Sequence, residues 1–555
     1  MAVLHDPRWT AYTPKLITVL GEGYTFDRFR RDAIAGLTVA IVALPLAMAL
    51  GIASGASPDK GLITAVVAGF LISALGGSRA QVGGPTGAFV VVVFNVIAQH
   101  GYDGLLLATL VAGFILIIAG YAKLGALVKF IPHPVVTGFT AGIAVIIASG
   151  EVKDFLGLSI DKVPANFLPK WQAYFGAFGS IHATTLAIGL GSLLLILGLR
   201  KVAPRVPGFL VAVVVASLAV ALLHLPVETI GSRFPHIPAG LPAPALPSIS
   251  LAKFQAILPS AFTIAFLAGI EALLSAVVAD GMIGSRHRSN QELVGQGVAN
   301  IASALFGGLP ATGAIARTAT NIRAGARSPI AGIFHALFLL LFLLVAGRLL
   351  ALVPMTALAA VLLMVAWGMS EYDRFVALLR TDAGERGVLV LTFLLTIFVD
   401  LTVAIGVGVT LAALLFMMRM SETAGLVPID VAEDPKLRDQ LPEGVEVFRF
   451  TGPLFFGVAS EMLEAFRRSG QRPKAIILRM ERVPYIDATG ANALATFARQ
   501  AKHAGTEVWL CGLGEQPREF LGRFQPRFAG ARRASNWAAA LKRLREAARR
   551  EGEQA

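Results

Sequence analysis

Between residues 33 and 418 the chain carries eleven long apolar runs, at 33–54, 61–76, 103–122, 134–150, 183–199, 207–223, 259–281, 328–350, 352–369, 387–399 and 401–418. A helix crossing a bilayer core needs about 20 apolar residues, because no water is present there to satisfy an exposed backbone. A stretch so patterned can only fold inside a membrane. Two further segments, 86–98 and 312–324, are too short or too polar to span, and a less apolar run at 291–307 precedes the second. Counted together these are 14 elements, an even number, so both ends of the chain fall on one side.

Charge divides the chain. Residues 421–555 hold 21 of the 48 Lys/Arg and 17 of the 35 Asp/Glu, a normal soluble composition, while the whole sequence is only 15% charged with a mean hydropathy of +0.70. This gives a cytoplasmic N-terminal segment at 1–31, a transmembrane transporter domain at 32–420 and a soluble cytoplasmic domain at 421–555 with a basic C-terminal helix. The net charge of +13 does not call for a nucleic-acid partner, since the basic residues sit in short loops between apolar runs. With the N-terminus inside, inner loops hold 14 Lys/Arg against 7 in outer loops, the bias expected of a membrane protein with both termini cytoplasmic. Arg28, Arg30 and Arg31 follow no short apolar run, so no cleaved signal peptide is read and the first membrane helix serves for targeting. A single cysteine, Cys511, excludes a disulfide framework or thiolate zinc site. No phosphate-binding loop, nucleophile elbow or metal-spaced His/Cys cluster occurs; neither an enzyme nor an ATP-driven pump is expected, nor any cofactor.

The chain repeats itself weakly. Residues 62–77 align with 293–308, matching at Leu62/Leu293, Ala68/Ala299, Gly76/Gly307 and Gly77/Gly308, and each stretch is followed by the same tripeptide, Thr86-Gly87-Ala88 and Thr312-Gly313-Ala314. Seven elements per half is an odd number, which makes the halves inverted relative to one another, as in many secondary transporters. Gly83-Gly84-Pro85 and Gly307-Gly308-Leu309-Pro310 precede the tripeptides and break any helix, so the two short helices are expected to start inside the protein, with Thr86 and Thr312 as hydroxyl caps. A helix start presents unpaired N–H groups and a partial positive charge, and two facing starts make an anion site of backbone origin. The alternative is a pair of ordinary glycine kinks.

Two ionisable residues lie in this frame. Arg317, about one turn into the second short helix, adds a buried cation that favours a dianion or carboxylate; the alternative is an arginine that snorkels to the interface. Glu271, mid-helix in FLAGIEALLSAVV, is a carboxylate at membrane depth, a functional hypothesis by default. We expect it to couple protons, ionised against Arg317 when the site is empty and protonated when an anion arrives; the alternative is a static ion pair. Asp280 and His287, at the end of the same helix, are read as interfacial.

Past 445 the pattern becomes that of a small α/β layer fold: strands at VEVFRF, AIILRM and TEVWLCGL, helices at SEMLEAFRR and about 489–504, and Asp487 placed to cap the latter. Cys511 belongs in its core.

The stretches GLTVAIVALPLAMAL, GGSRAQVGGPTGAFVVV, GIEALLSAVVADGMIGSRHRSNQELVGQG and GAIARTATNIRAGARSPIAG resemble the SulP family (sulfate permease, solute carrier family 26), and the tail resembles its STAS domain (sulfate transporter and anti-sigma-factor antagonist). The resemblance implies an α-helical polytopic fold of 14 transmembrane elements as 7+7 inverted repeats of the uracil-transporter type. It further implies core and gate domains, a homodimer in membrane lipid, an elevator-like movement and a bacterial inner (plasma) membrane location. It puts the anion site on Thr86-Gly87-Ala88 and Gly313-Ala314-Ile315, with Glu271 and Ser275 from the helix between. Sodium-driven bicarbonate members carry Asp at 271, Thr at 275 and a hydroxyl residue at 315; Glu271, Ser275 and Ile315 leave fewer hard oxygen ligands and favour H+. Sulfate carriers often have glutamine where Leu46 follows Pro45. ATGAIARTATNIRAGARSPI and LLMVAWGMSE are most similar to bacterial carriers of C4 dicarboxylates such as succinate and fumarate. In the tail, Ala488 stands where anti-sigma antagonists carry a phosphorylated serine; Asp487 and Thr489 remain in the loop that would meet a cytoplasmic protein partner. An anion-sensing signalling protein and an uncoupled anion channel are the competing readings.

Overall fold

The structure, a computed structural model, describes residues 11–126, 132–161, 163–164, 166–204, 206–235, 240–399, 401–423, 425–428, 441–455, 473–523 and 531–554. It divides into two compact units, Met1–Val409 and Thr410–Ala555.

The first unit is helical. A short α1 (Lys15–Gly21) precedes α2 (Phe26–Ala53), α3 (Pro58–Leu75), the two-residue strand β1 (Gly83–Gly84), α4 (Gly87–Tyr121), α5 (His133–Gly150), α6 (Val152–Leu156), α7 (Phe167–Ala177), α8 (Ala183–Val202) and α9 (Gly208–Leu222). Then come α10 (Ile230–Arg233), α11 (Leu251–Ile283), α12 (Ser289–Leu305), strand β2 (Thr312–Gly313), α13 (Ile315–Arg323), α14 (Ile330–Leu350), α15 (Met355–Met369), α16 (Tyr372–Leu379), α17 (Ala383–Phe398) and α18 (Leu401–Thr423). Eight helices among the described residues are long and apolar enough to cross a membrane. All fourteen expected elements are present. The segments 86–98 and 103–122 run together as α4, broken only where Gly101 leaves helical geometry.

Two sets of helices emerge from the packing. α2, α3, α4, α11, α12 and α14 lie against one another, and α5, α8, α9, α15 and α17 form a second group, the division expected of core and gate. Buried carboxylates pin the first set. Glu292 on α12 accepts from the amides of Gly77 (2.8 Å) and Ser78 (3.1 Å) and from Gln296 (2.8 Å), which fixes the turn after α3. Asp32 on α2 accepts from Tyr24, from the Arg327 amide and from Ser328, tying the start of α2 to the loop before α14. Each has three donors, as a carboxylate held away from water requires.

The second unit holds a five-stranded sheet in the order β3 (Gly425–Pro428), β4 (Val445–Thr451), β5 (Ala475–Arg482), β6 (Glu507–Cys511), β7 (Ala531–Ala534); β3 is antiparallel to β4 and the rest are parallel. α19 (Ala488–His503), α20 (Glu515–Arg523) and α21 (Trp537–Gln554) complete it. The helix expected at SEMLEAFRR lies outside the described residues. Parallel pairing buries β5 and β6 on both faces, with Ile476, Leu478 and Leu510 in one core and Ile477, Trp509 and Cys511 in the other. Asp487 caps α19 as expected, its carboxylate accepting from the Gly490 amide at 2.7 Å.

Burial pushes the Cys511 thiol up to about 12. At pH 8 the folded chain therefore holds almost no thiolate, and N-ethylmaleimide is expected to label it roughly 10³-fold more slowly than the unfolded chain. As Cys511 is the sole cysteine, intact-mass spectrometry reads this directly; prompt labelling of folded protein would refute the packing.

Candidate functional site

At membrane depth, backbone that leaves the helix must find partners within the protein. Here the two interrupted segments satisfy each other. β1 pairs with β2 in antiparallel register, Gly83 opposite Gly313 and Gly84 opposite Thr312. The Ala314 amide extends the pairing by donating to the Val82 carbonyl (2.9 Å), and the Val82 amide donates to the Thr318 hydroxyl (3.1 Å). The crossing admits no side chains. A Cβ at Gly313 would fall 1.4 Å from Gln81 Nε2, and one at Gly84, whose φ is +150°, would fall 2.3 Å from Arg317 Nη1. Both short helices, α4 from Gly87 and α13 from Ile315, thus start beside one small sheet.

The threonines do not cap these helices. Neither α4 nor α13 has a side-chain cap, and α13 begins after Ala314 rather than after Thr312. Both hydroxyls turn instead to α11: Thr86 donates to Glu271 Oε2 at 2.8 Å and Thr312 to the Ala268 carbonyl at 2.8 Å. The physical reason is placement: the Thr86 hydroxyl is turned toward α11, and Thr312 lies two residues before the N-cap position of its helix. The first amides of α4 and α13, at Gly87, Ala88, Ile315 and Ala316, consequently have no intrahelical acceptor.

Arg317 is buried, 3% exposed. Its Nη2 donates to the Pro85 carbonyl at 2.7 Å, while Nε and Nη1 have no partner in the protein. The expected ion pair with Glu271 does not form. Both groups bond to the 85–86 turn instead, Arg317 to the backbone and half-buried Glu271 to the Thr86 hydroxyl. Ser275 is buried and shares a hydrogen bond of 3.1 Å with Thr318. Ile315 opens α13 with 38% of its surface exposed, so an apolar side chain stands beside the helix start. Leu46 is a core residue of α2, without a polar contact. Asp280 accepts from His287 and Ser285 at the far end of α11, apart from this site. Ala488 and Thr489 are exposed in the first turn of α19.

Sequence reading passed over Gln81 and Thr318. Gln81 donates to the Ala272 carbonyl (3.2 Å) and its Oε1 is buried without a partner. Met369 and Ile147 were likewise unmarked, yet a methyl at Gly87 would meet the Met369 sulfur at 2.5 Å and Ile147 at 3.1 Å, so the second helix group presses on this helix start. A polar residue in the broken segment was the signal for Gln81, and a hydroxyl one turn into the second short helix the signal for Thr318.

The arrangement concentrates positive potential: two helix starts and a guanidinium with two unused donors, in surroundings of low dielectric. It suits a small anion with several oxygens.

Residues 29–392 match the sulfate permease family, and residues 437–525 the STAS domain. The chain is 41% identical to a putative sulfate transporter, YvdB, of Bacillus subtilis, over 90% of this chain and 94% of that protein. It is 32% identical to the bicarbonate transporter BicA of Picosynechococcus, over 90% of this chain and 91% of that one. Among solved structures it resembles the transmembrane domain of a cyanobacterial BicA (TM-score 0.63, 32% identity, 69% of this chain and 98% of that one). It also resembles SLC26A9 (TM-score 0.85, 17% identity, 100% and 96%), which speaks to fold alone.

Gly84→Ala meets both a positive φ and the Arg317 guanidinium, and is expected to cost about 1–3 kcal/mol. Gly191→Ala on α8 has open space and serves as control. Thermal denaturation in detergent compares them; equal melting temperatures would refute the crossing.

Proposed function

This chain belongs to the sulfate permease family of anion transporters, and we propose that it carries small carboxylates and dicarboxylates, such as succinate or fumarate, together with a proton. The single observation behind this reading is Arg317, buried with two unpartnered N–H groups where both helix starts meet. A guanidinium fork fits a carboxylate, and the helix-start amides take the remaining oxygens. The chain is a multi-pass membrane protein and not an enzyme; the inner-membrane location and cytoplasmic termini rest on the loop charges.

Glu271 supports the choice of proton. It shares its turn with Arg317 but spends itself on one hydrogen bond, from Thr86. A proton delivered there removes a negative charge next to an arriving anion. A sodium ion would need several hard oxygens, and Ile315 offers none at the helix start. In the proposed cycle the first helix group moves with the anion against the second, in a homodimer.

A second reading has its own support. YvdB is named a putative sulfate transporter and BicA a bicarbonate transporter, so sulfate or bicarbonate is the competing cargo.

Proteoliposomes with imposed proton or sodium gradients separate these readings. Uptake of labelled succinate or fumarate driven by protons is expected to exceed that of sulfate and bicarbonate, and sulfate uptake driven by sodium would overturn the assignment. Arg317→Gln is expected to lower uptake at least about tenfold, the loss of one charge-assisted hydrogen bond. Glu271→Gln is expected to leave exchange of anion for anion while abolishing its dependence on the pH gradient; unchanged pH dependence would remove the coupling role.

A further inference from the structure

A cavity of about 230 Å³ opens at the ends of α2 and α5, between the two helix groups. Val90, Val91 and Asn95 of α4 line one side, the first turns past the helix start at Gly87. Glu151, Lys153, Asp154, Lys170 and Arg233 line the other. It has room for several waters.

The charged groups are of two kinds. Arg233 is fully engaged, bidentate to Asp154 (2.7 and 2.8 Å) and bonded to Glu228, while Lys153 donates to the Ile160 carbonyl. These hold the loops together. Lys170 on α7 and Glu151 at the end of α5 are different: they are 8% and 7% exposed, and their bonds to described residues run through the backbone, with no side-chain hydrogen bond or direct ion pair to a described residue. Beside them the Tyr174 hydroxyl is buried without a partner. Lys170 and Glu151 line the same cavity without closing on each other. A pair kept for packing closes, as Arg233 and Asp154 do; buried charges held apart beside a cavity are arranged for something that enters it.

We propose that this cavity is a second anion-binding site, in which Lys170 pairs with a small carboxylate or oxyanion on its path to the helix starts of α4 and α13. The proposal rests on the transport reading above for its direction of flow, though not for binding itself. Lys170 is the lining cation that favours an anion, since Arg233 is balanced by Asp154 and Glu228 and Lys153 is held by the Ile160 carbonyl. Glu151 weakens the hold of Lys170 on the ion, so that the ion is released onward rather than trapped.

Trp171 reports on the site, since it follows Lys170 on α7, donates to Ser149 at 3.1 Å and packs edge-on against Tyr174. Sodium succinate, sulfate and bicarbonate, with gluconate as control, are titrated into the purified full chain while tryptophan fluorescence is read. A saturable change that vanishes in Trp171→Phe is expected, weakened about tenfold in Lys170→Met, retained in Lys170→Arg and in Arg317→Gln, and tightened in Glu151→Gln. In proteoliposomes Lys170→Met is expected to raise KM with little change in kcat. No Trp171 signal with any of the three anions, or a signal unchanged in Lys170→Met, overturns the site. Should Lys170→Met fail to fold, an unchanged affinity in Glu151→Gln overturns it equally. A response to magnesium but not to anions also overturns it. Saturable binding without uptake supports the site and overturns the transport reading; uptake with a flat Trp171 signal does the reverse.

Discussion

Everything in the first unit that concerns anions depends on two residues of one segment pairing with two of another. β1 and β2 are too short to count as a sheet in an ordinary protein, but at membrane depth an unpaired backbone group costs several kcal/mol, and four paired residues remove that cost from both broken segments at once. The pairing also sets direction. With Gly83 opposite Gly313 the chains run antiparallel, and each leaves the crossing into a helix whose start remains beside the other's. Loss of the pairing would separate α4 from α13 and leave Arg317 with no turn to bond. Thr312, Ala314 and Thr318 then brace the crossing from the α11 and α13 sides.

Around that crossing, hydrogen-bond saturation distinguishes carboxylates that hold the fold from the one proposed to couple protons. Asp32 and Glu292 each accept from three donors, so neither has much capacity left for a proton or ligand. Glu271 accepts from one. Arg317 shows the same contrast against Arg233: one is held by a single carbonyl with two donors unused, the other is forked on a carboxylate. A buried charge left under-bonded is costly, and the fold keeps that cost only where a ligand offsets it.

Sequence alone made much of this legible. Apolar runs marked eleven of the fourteen membrane elements because the bilayer imposes a length, and the duplicated Thr-Gly-Ala with its Gly-Pro punctuation marked where helices break. The hydroxyl bonds of Thr86 and Thr312 were not legible, because a threonine before a helix can serve that helix or a neighbour, and only the position of α11 decides between them. The missing Arg317–Glu271 ion pair has the same origin: spacing along the chain brings both to the site but says nothing of the Pro85 carbonyl that reaches the guanidinium first. Gln81 escaped notice since a single glutamine beside a glycine pair has no periodic signature. In the tail, alternation in VEVFRF and the apolar stretches AIILRM and TEVWLCGL revealed β4, β5 and β6, whereas ARRA at β7 carries no apolar pattern to announce a strand.

The choice of cations at the two proposed anion sites fits what transport would require of each. A guanidinium is planar, weakly hydrated and matched to carboxylate geometry, so it suits the place where an anion must shed its water. An ammonium is compact and strongly hydrated, and with Glu151 close by its attraction is partly cancelled before any ligand comes. On the proposed path an ion meets weak attraction at Lys170 and strong attraction at Arg317, where helix dipoles add to the charge. Reversing the order would place the tighter cation at the mouth, and the ion would stop there, because each further step would raise its free energy. A carrier needs its strongest hold at the group that moves, which fits the arginine on α13 beside the crossing of β1 and β2 and the lysine in the cavity between the helix groups.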